Sequence, residues 1–263
     1  MKKEDILSFE DLYRYIFARK NGVICHYTSF ENLIMILSNK SLRLTRYDLM
    51  NDIAEKKLSQ CVDGDCRYII SFTGTSSENV AMWALYGKHS SLKLRLDFSR
   101  GSLIRSVNNN FYFDSYKTQK IPIWGTSTVP NDYTKKDFTL SDVVYYDRQK
   151  RCLKLSGKTL ADIEVTEREI MDLAGTIKYD AWEYEKESRL AVILHQNKPV
   201  EDFQNITHIY AGLTDEFIQG LSITYSPWIN DTVFEQLKTS IDNLAGVPLK
   251  HKRSTLQGEI AEL

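Results

Sequence analysis

Three glutamates, Glu183, Glu185 and Glu187, stand at alternate positions in the stretch AWEYEKESRLAVIL (181–194), directly before an apolar run. Carboxylates held near one another are the groups that stabilise a developing positive charge or take a proton from an attacking group. In an extended chain residues two apart share a face, so these charges lie side by side and repel. Such crowding raises the pKa of one member, which suits a general base. Two readings are open. One is an acidic site at the mouth of a strand; the other is a solvated strand end with Lys186 and Arg189 as local neutralisers. A helix over 181–189 would instead put Glu183 and Glu187 on one face and turn Glu185 away.

Other residues with chemical potential sit at the ends of elements. His26, Tyr27 and Thr28 close the run VICHYT beside a helix start, and Tyr47 ends the alternating SLRLTRY. Asn51 and Asp52 open the polar MNDIAEKK, which a simple Asn-Asp turn also explains. Trp83 and Tyr86 lie three apart on a short helical run, where aromatic residues are by default core. Arg148, Lys150 and Arg151 follow Tyr145 and Tyr146 in DVVYYDRQKR. Cations beside aromatic rings suit a single-stranded nucleic acid, and a solvated hairpin face accounts for them equally well. No phosphate loop, GxGxxG, HExxH, GxSxG or kinase signature is present. The four cysteines form no CxxC and no zinc-spaced cluster, so no metal centre is expected.

The elements that must carry these residues are legible from periodicity. Helical spacing covers Phe9, Leu12, Tyr13, Ile16 and Phe17 after Ser8 as N-cap, then Phe30, Leu33, Ile34 and Leu37 behind a Thr28–Glu31 capping box. Strands are expected at VICHYT, SLRLTRY, YIISFT, DVVYYD, THIYAG and LSITYS. SLKLRLDF reads as half-buried, with Leu92, Leu94, Leu96 and Phe98 on one face. Short helices are expected at 80–87 and in LTDEFIQGL, and TLADIEVTEREIMDLAG reads as mostly helical. A capped helix at 231–246 turns Val233, Phe234, Leu237, Ile241 and Leu244 inward. Residues 99–140 read as a long excursion or insertion. Strands and helices intersperse without regular alternation, which predicts an α+β fold in one domain spanning 1–263.

Composition limits the partners. The chain of 263 residues carries a formal net charge of −1, so no global basic field holds it on a polyanion or an anionic membrane. No apolar run reaches the ~20 residues of a membrane span. Scattered cysteines fit a reducing compartment, although Cys61 and Cys66 are spaced to pair across a turn. The expectation is a soluble, cytoplasmic protein.

Taken in order, HYTSFENLIMIL, NDxxE (51–55), SFT (71–73), MWxxY (82–86) and YExExR (184–189) resemble a bacterial family catalogued as a domain of unknown function. A strand ending in His, then NLxxIL and LRLT, also resembles the opening of the ADP-ribosyltransferase superfamily, especially members that modify nucleic acid. That resemblance implies a mixed or split β-sheet with flanking helices and NAD as substrate. His26 with Tyr27 and Thr28 would hold the ribose end, and Tyr27 or Tyr47 would stack on nicotinamide. Glu187 and Glu185 would direct transfer, with Asn51, Asp52, Trp83, Tyr86 and Arg189 lining the site. It further implies an RNA or DNA acceptor, for which Arg148, Lys150, Arg151 and Tyr146 are the candidates by residue type, and a toxin or antiviral-defence role with a neutralising antitoxin or chaperone. Two alternatives stay open: a nucleotide-binding or nuclease-like effector without ADP-ribosyl transfer, and a transferase acting on protein.

Overall fold

The structure, a computed structural model, describes residues 6, 8–17, 21–50, 52, 65–86, 92–121, 133–147, 149, 152–155, 158–160, 166, 173, 175–196 and 206–260. These form a mixed α/β arrangement of six α-helices, two 3-10 helices and fourteen strands among the described residues. The chain divides into two compact units. The first comprises residues 1–20, 43–71 and 112–210, and the second residues 21–42, 72–111 and 211–263.

In the first unit, helix α1 (Phe9–Phe17) starts where the Ser8 hydroxyl accepts the Asp11 N–H. Its Leu12 and Ile16 pack with Val144, Leu153, Leu155 and Ile177. Those residues come from a four-stranded sheet, β7 (Val144–Asp147), β8 (Cys152–Leu155), β9 (Lys158–Leu160) and β10 (Ile177–Tyr179), in the order β10-β7-β8-β9. Tyr13, expected inward, is 44% exposed. Long antiparallel strands β6 (Tyr133–Asp142) and β11 (Glu187–Gln196) pair through a register shift at Ile193/Leu194. Strand β6 and, in the second unit, a helix at 100–107 replace much of the excursion expected at 99–140. Both were missed because their polar residues mask the period: β6 reads YTKKDFTLSD. The Thr45–Arg46 end of β2 (Ser41–Arg46) meets Ile69 and Tyr68 of β3 (Asp65–Thr73), and β11 also pairs β3. The helix expected over 159–175 begins instead with strand β9, and most of its remainder lies outside the described residues.

In the second unit, β1 (Val23–Ser29), β4 (Lys93–Ser99), β13 (Ser222–Tyr225) and β14 (Lys250–Lys252) form a sheet in the order β14-β13-β4-β1. Its register sorts side chains by face, because aligned residues of paired strands point the same way. One face carries His26, Leu96, Ile223 and His251 as a row, with Ile24 and Phe98 beside it. Helix α5 (Asp215–Gln219) covers Phe98 through Phe217, and α6 (Asp231–Ala245) covers Tyr225 through Phe234. The opposite face carries two polar rows: Cys25–Asp97–Ser222–Lys250 and Tyr27–Arg95–Thr224–Lys252. Strand β4 is therefore buried on both faces, not half-buried, since Arg95 and Asp97 are also covered.

The unit's helices follow local chemistry. Helix α2 (Phe30–Asn39) is capped by Ser29, whose hydroxyl accepts the Asn32 N–H, so the cap lies one residue after the expected Thr28. Helix α3 (Val80–Leu85) is capped by Asn79, and α4 (Arg100–Val107) by Ser99. In α6, Phe234, Leu237 and Ile241 are buried as expected, but Leu244 is 39% exposed. Cys25 and Cys152 are free and buried, whereas Cys66 is disulfide-bonded, which departs from the expectation of reduced thiols throughout. No helix among the described residues is long and apolar enough to cross a membrane.

Candidate functional site

The glutamates do not lie along one strand face. Residues Asp180–Glu185 form a 3-10 turn, Lys186 takes a left-handed conformation with φ 44°, and the strand begins only at Glu187. The turn and the kink together bring Glu185 and Glu187 to one cation. Lys178 Nζ of β10 donates to Glu185 Oε2 at 2.6 Å and to Glu187 Oε2 at 3.2 Å. Arg189 completes the cluster by gripping both oxygens of Glu187, Nε to Oε1 at 2.6 Å and Nη2 to Oε2 at 2.9 Å. Its remaining Nη1 donates to the Gly175 carbonyl at 3.2 Å. The Glu187 N–H donates to the Tyr145 hydroxyl at 2.8 Å, and its carbonyl accepts the Val143 N–H at 2.9 Å.

Two carboxylates and two cations thus balance in a nearly dry setting. Glu185 is 2% exposed, Glu187 4% and Arg189 0%. Burial alone would push the Glu187 carboxyl up. The Arg189 and Lys178 charges, with hydrogen bonds from Arg189 and Ser71, outweigh it and hold the group at about 2. Lys178 shifts up in turn: burial would lower it, but Glu187 and Glu185 favour its charged form. Burial pushes the Tyr145 phenol up. The expectation that like charges raise one glutamate is therefore reversed for Glu187, because the nearest charges are opposite ones. The expectation of a solvated end also fails for Glu185 and Glu187; only Glu183 is partly exposed.

The sign of the resulting pH dependence follows directly. Glu187 titrates lower in the folded chain than its ordinary 4.5, so its stabilisation is complete above pH 4.5 and is lost as pH falls towards 2. The loss amounts to about 3 kcal/mol over that window. Denaturant unfolding of the parent and of Glu187→Gln across the same window checks this. The parent should lose that much more stability than the variant, and parallel curves would remove Glu187 as the cause.

The other expected site residues divide between the units. In the first, Tyr47 is 1% exposed, with the Arg189 guanidinium 5.9 Å from its ring centre, so its ring serves the charge cluster. Asp52 is partly buried, and Asn51 lies outside the described residues, as do Arg148, Lys150 and Arg151. Tyr146 packs against the apolar cluster beneath α1, with its ring centre 6.4 Å from that of Tyr179. The β7–β8 hairpin after it carries Lys154, which bridges Asp147 at 3.2 Å and Asp180 at 3.0 Å.

In the second unit, His26 is half-buried and meets Phe72 edge-on at 5.7 Å. Tyr27 and Thr28 are buried. The Tyr27 ring lies edge-on to Trp83 at 4.8 Å, its hydroxyl accepts the Asn79 N–H at 3.2 Å, and the Arg95 guanidinium sits 5.9 Å from its centre. Burial pushes the Tyr27 phenol up. Trp83 is fully buried and donates from Nε1 to Glu78 at 3.0 Å, while Tyr86 is 37% exposed at the helix end.

Sequence reasoning missed Lys178, Tyr145 and the Arg95–Asp97 pair. The signal for the pair was present in LKLRLDF, where the charges alternate as regularly as the leucines. Lys178 gave no signal, because a lysine in TIKYD reads as a solvated strand residue. No group of metal-ligating side chains occurs among the described residues. Searches of curated proteins and of solved structures return no match. The model of a family described as "Protein of unknown function (DUF2971)" matches residues 82–190, a stretch that holds Trp83, Arg95, Lys178, both buried glutamates and Arg189.

Proposed function

We propose that the chain is an NAD-dependent ADP-ribosyltransferase with a macromolecular acceptor, nucleic acid before protein. The observation that carries this reading is the Glu185–Glu187 pair, two carboxylates drawn to one ammonium at the head of a strand. Cleaving the nicotinamide–ribose bond builds oxocarbenium character at the ribose carbon, as glycoside cleavage does. A carboxylate that stays ionised and rigid stabilises that charge, and Glu187 is both. Glu185 is the candidate to orient or deprotonate the acceptor. His26 would hold the ribose. Because Glu185, Glu187, Tyr27 and Tyr47 are all buried, reaction requires covering groups to move, Lys178 first among them. An ADP-ribosyltransferase-like arrangement of strands and a toxin or antiviral-defence role with a neutralising partner belong to this reading.

A second reading is favoured by the charge balance itself. Glu185, Glu187, Lys178 and Arg189 neutralise one another, as a structural staple does. The chain is then a nucleotide-binding or nuclease-like effector without ADP-ribosyl transfer.

Incubation of the full chain with labelled NAD and separate RNA, DNA and protein pools separates the two. The transferase reading expects nicotinamide release and label on the nucleic-acid pool, both abolished in His26→Ala with its melting temperature intact. Glu185→Gln should keep some NAD hydrolysis and lose transfer. No release with any pool would sink the transferase reading.

A further inference from the structure

On the polar face of the β14-β13-β4-β1 sheet the positions of β1, β4 and β13 are covered, whereas Lys250 and Lys252 of β14 are exposed. Arg95 and Asp97 are each more than nine-tenths buried, as are Tyr27, Ser222 and Thr224. Over the β1–β4 part of that face lie residues 74–79, GTSSEN, an irregular segment between β3 and α3 that bonds to Cys25, Tyr27 and Arg95. We propose that this segment is a strap, latched by Glu78, that closes a polar binding face and opens when the latch is released.

Each tie between strap and sheet is a side-chain bond to strap backbone. Cys25 Sγ donates to the Thr75 carbonyl at 3.3 Å, and Arg95 Nη1 donates to the Ser76 carbonyl at 3.2 Å. The Asn79 N–H donates to the Tyr27 hydroxyl. The latch is the Glu78 carboxylate, which accepts four hydrogen bonds. Trp83 Nε1 and Ser254 Oγ donate to Oε2 at 3.0 and 2.5 Å, and Thr255 donates to Oε1 from its N–H at 2.7 Å and its hydroxyl at 2.9 Å. Burial would raise the Glu78 carboxyl, but these donors bring it below its ordinary value. Ser254 and Thr255 follow edge strand β14 after one intervening residue, so one side chain fastens the strap to the C-terminal segment.

Beyond Tyr27, which packs against Trp83, the groups under the strap are polar. Arg95 bonds Asp97 at 3.1 Å, Thr224 Oγ1 donates to Asp97 at 3.3 Å, and Lys252 stands 3.9 Å from it. Ser222 Oγ is buried with no hydrogen-bond partner among the described residues, which asks for an explanation in a native fold. The Thr75 and Ser76 carbonyls occupy donors that an incoming ligand would meet with its own carbonyl or anionic oxygens. The strap is thus a self-supplied occupant. Its opening is measured without NAD, so this inference and the transferase reading succeed or fail separately.

Two buried free thiols report on it. Cys25 lies under the strap, and Cys152 lies in the other unit. Burial pushes the Cys25 thiol far up, so it reacts only when uncovered. The full native chain is treated with a maleimide, and labelling at each cysteine is followed by peptide mass. Glu78→Gln should raise the Cys25 rate at least about tenfold, and the milder Thr255→Val about threefold, with Cys152 unchanged. A Cys25 rate unchanged in both variants overturns the strap, as does a parallel rise of Cys25 and Cys152, which reports unfolding of the whole chain.

Discussion

Replacing Glu187 by glutamine should destabilise the fold by about 3–5 kcal/mol, because it leaves two buried cations short of their counter-charge. Arg189 is fully buried and spends two of its donors on Glu187, and Lys178 is left with Glu185 alone. Glutamine keeps the shape and one acceptor oxygen but presents an N–H₂ group where an oxygen met a guanidinium, so a favourable contact becomes a repulsive one. Arg189→Met should cost a similar amount for the mirror reason. The double variant Glu187→Gln/Arg189→Met should lose less than the two single losses added, because neither charge is then orphaned. Urea unfolding of the four proteins completes the cycle. Additive losses would mean that the two residues act independently and that the short distances carry no coupling. For the proposed chemistry the consequence is practical: an inactive Glu187→Gln protein is informative only beside its unfolding curve.

Trp83→Ala should cost about 3–5 kcal/mol through the cavity it leaves. The indole is fully buried, lies against the Tyr27 ring, and gives Glu78 one of its four hydrogen bonds. Its backbone carbonyl also accepts from Lys93 Nζ at 2.8 Å, a bond that survives the substitution. Trp83→Phe keeps one six-membered ring but loses the pyrrole ring with its N–H donor, so it should fall between alanine and the parent. The measurement is the shift in urea midpoint for both variants. A site-lining role expects the reverse pattern, a stable alanine variant with weakened ligand binding, and that result would remove Trp83 from the core.

Where the chain follows an unbroken hydrophobic period, sequence alone places the element. VICHYT, LSITYS and the 231–245 helix are strands and a helix as their spacing predicts. A mixture of strands and helices follows from the same periodicity. Failures arise where local chemistry outvotes period. The Glu185-Lys186-Glu187 alternation looks extended, but it is a 3-10 turn and a left-handed kink, because Lys178 and Arg189 attract what three bare carboxylates would spread apart. Those partners come from Lys178, which sits in an unremarkable strand, and from Arg189, which reads as a surface neutraliser. Burial of polar residues is likewise invisible when the cover is an irregular segment. Nothing in GTSSEN announces that it lies over Arg95. The candidate acids were legible as residues, and their environment was not.

The interleaving of the two units bears on how this protein can be taken apart. Each is assembled from three separate stretches of chain, and the polypeptide changes unit five times between its first and last residues. No single cut yields either unit whole. The family-matched stretch 82–190 holds β4 but lacks β1 and β13, its partners on either side, and it cuts β11 after Leu190 and lacks β3. Cloned alone, it is a fragment with open sheet edges, which invites edge-to-edge association. Expression trials, fusions and tag insertions therefore belong at surface loops of the full chain. The segment that a family boundary marks out is not a module that inheritance or engineering can move by itself.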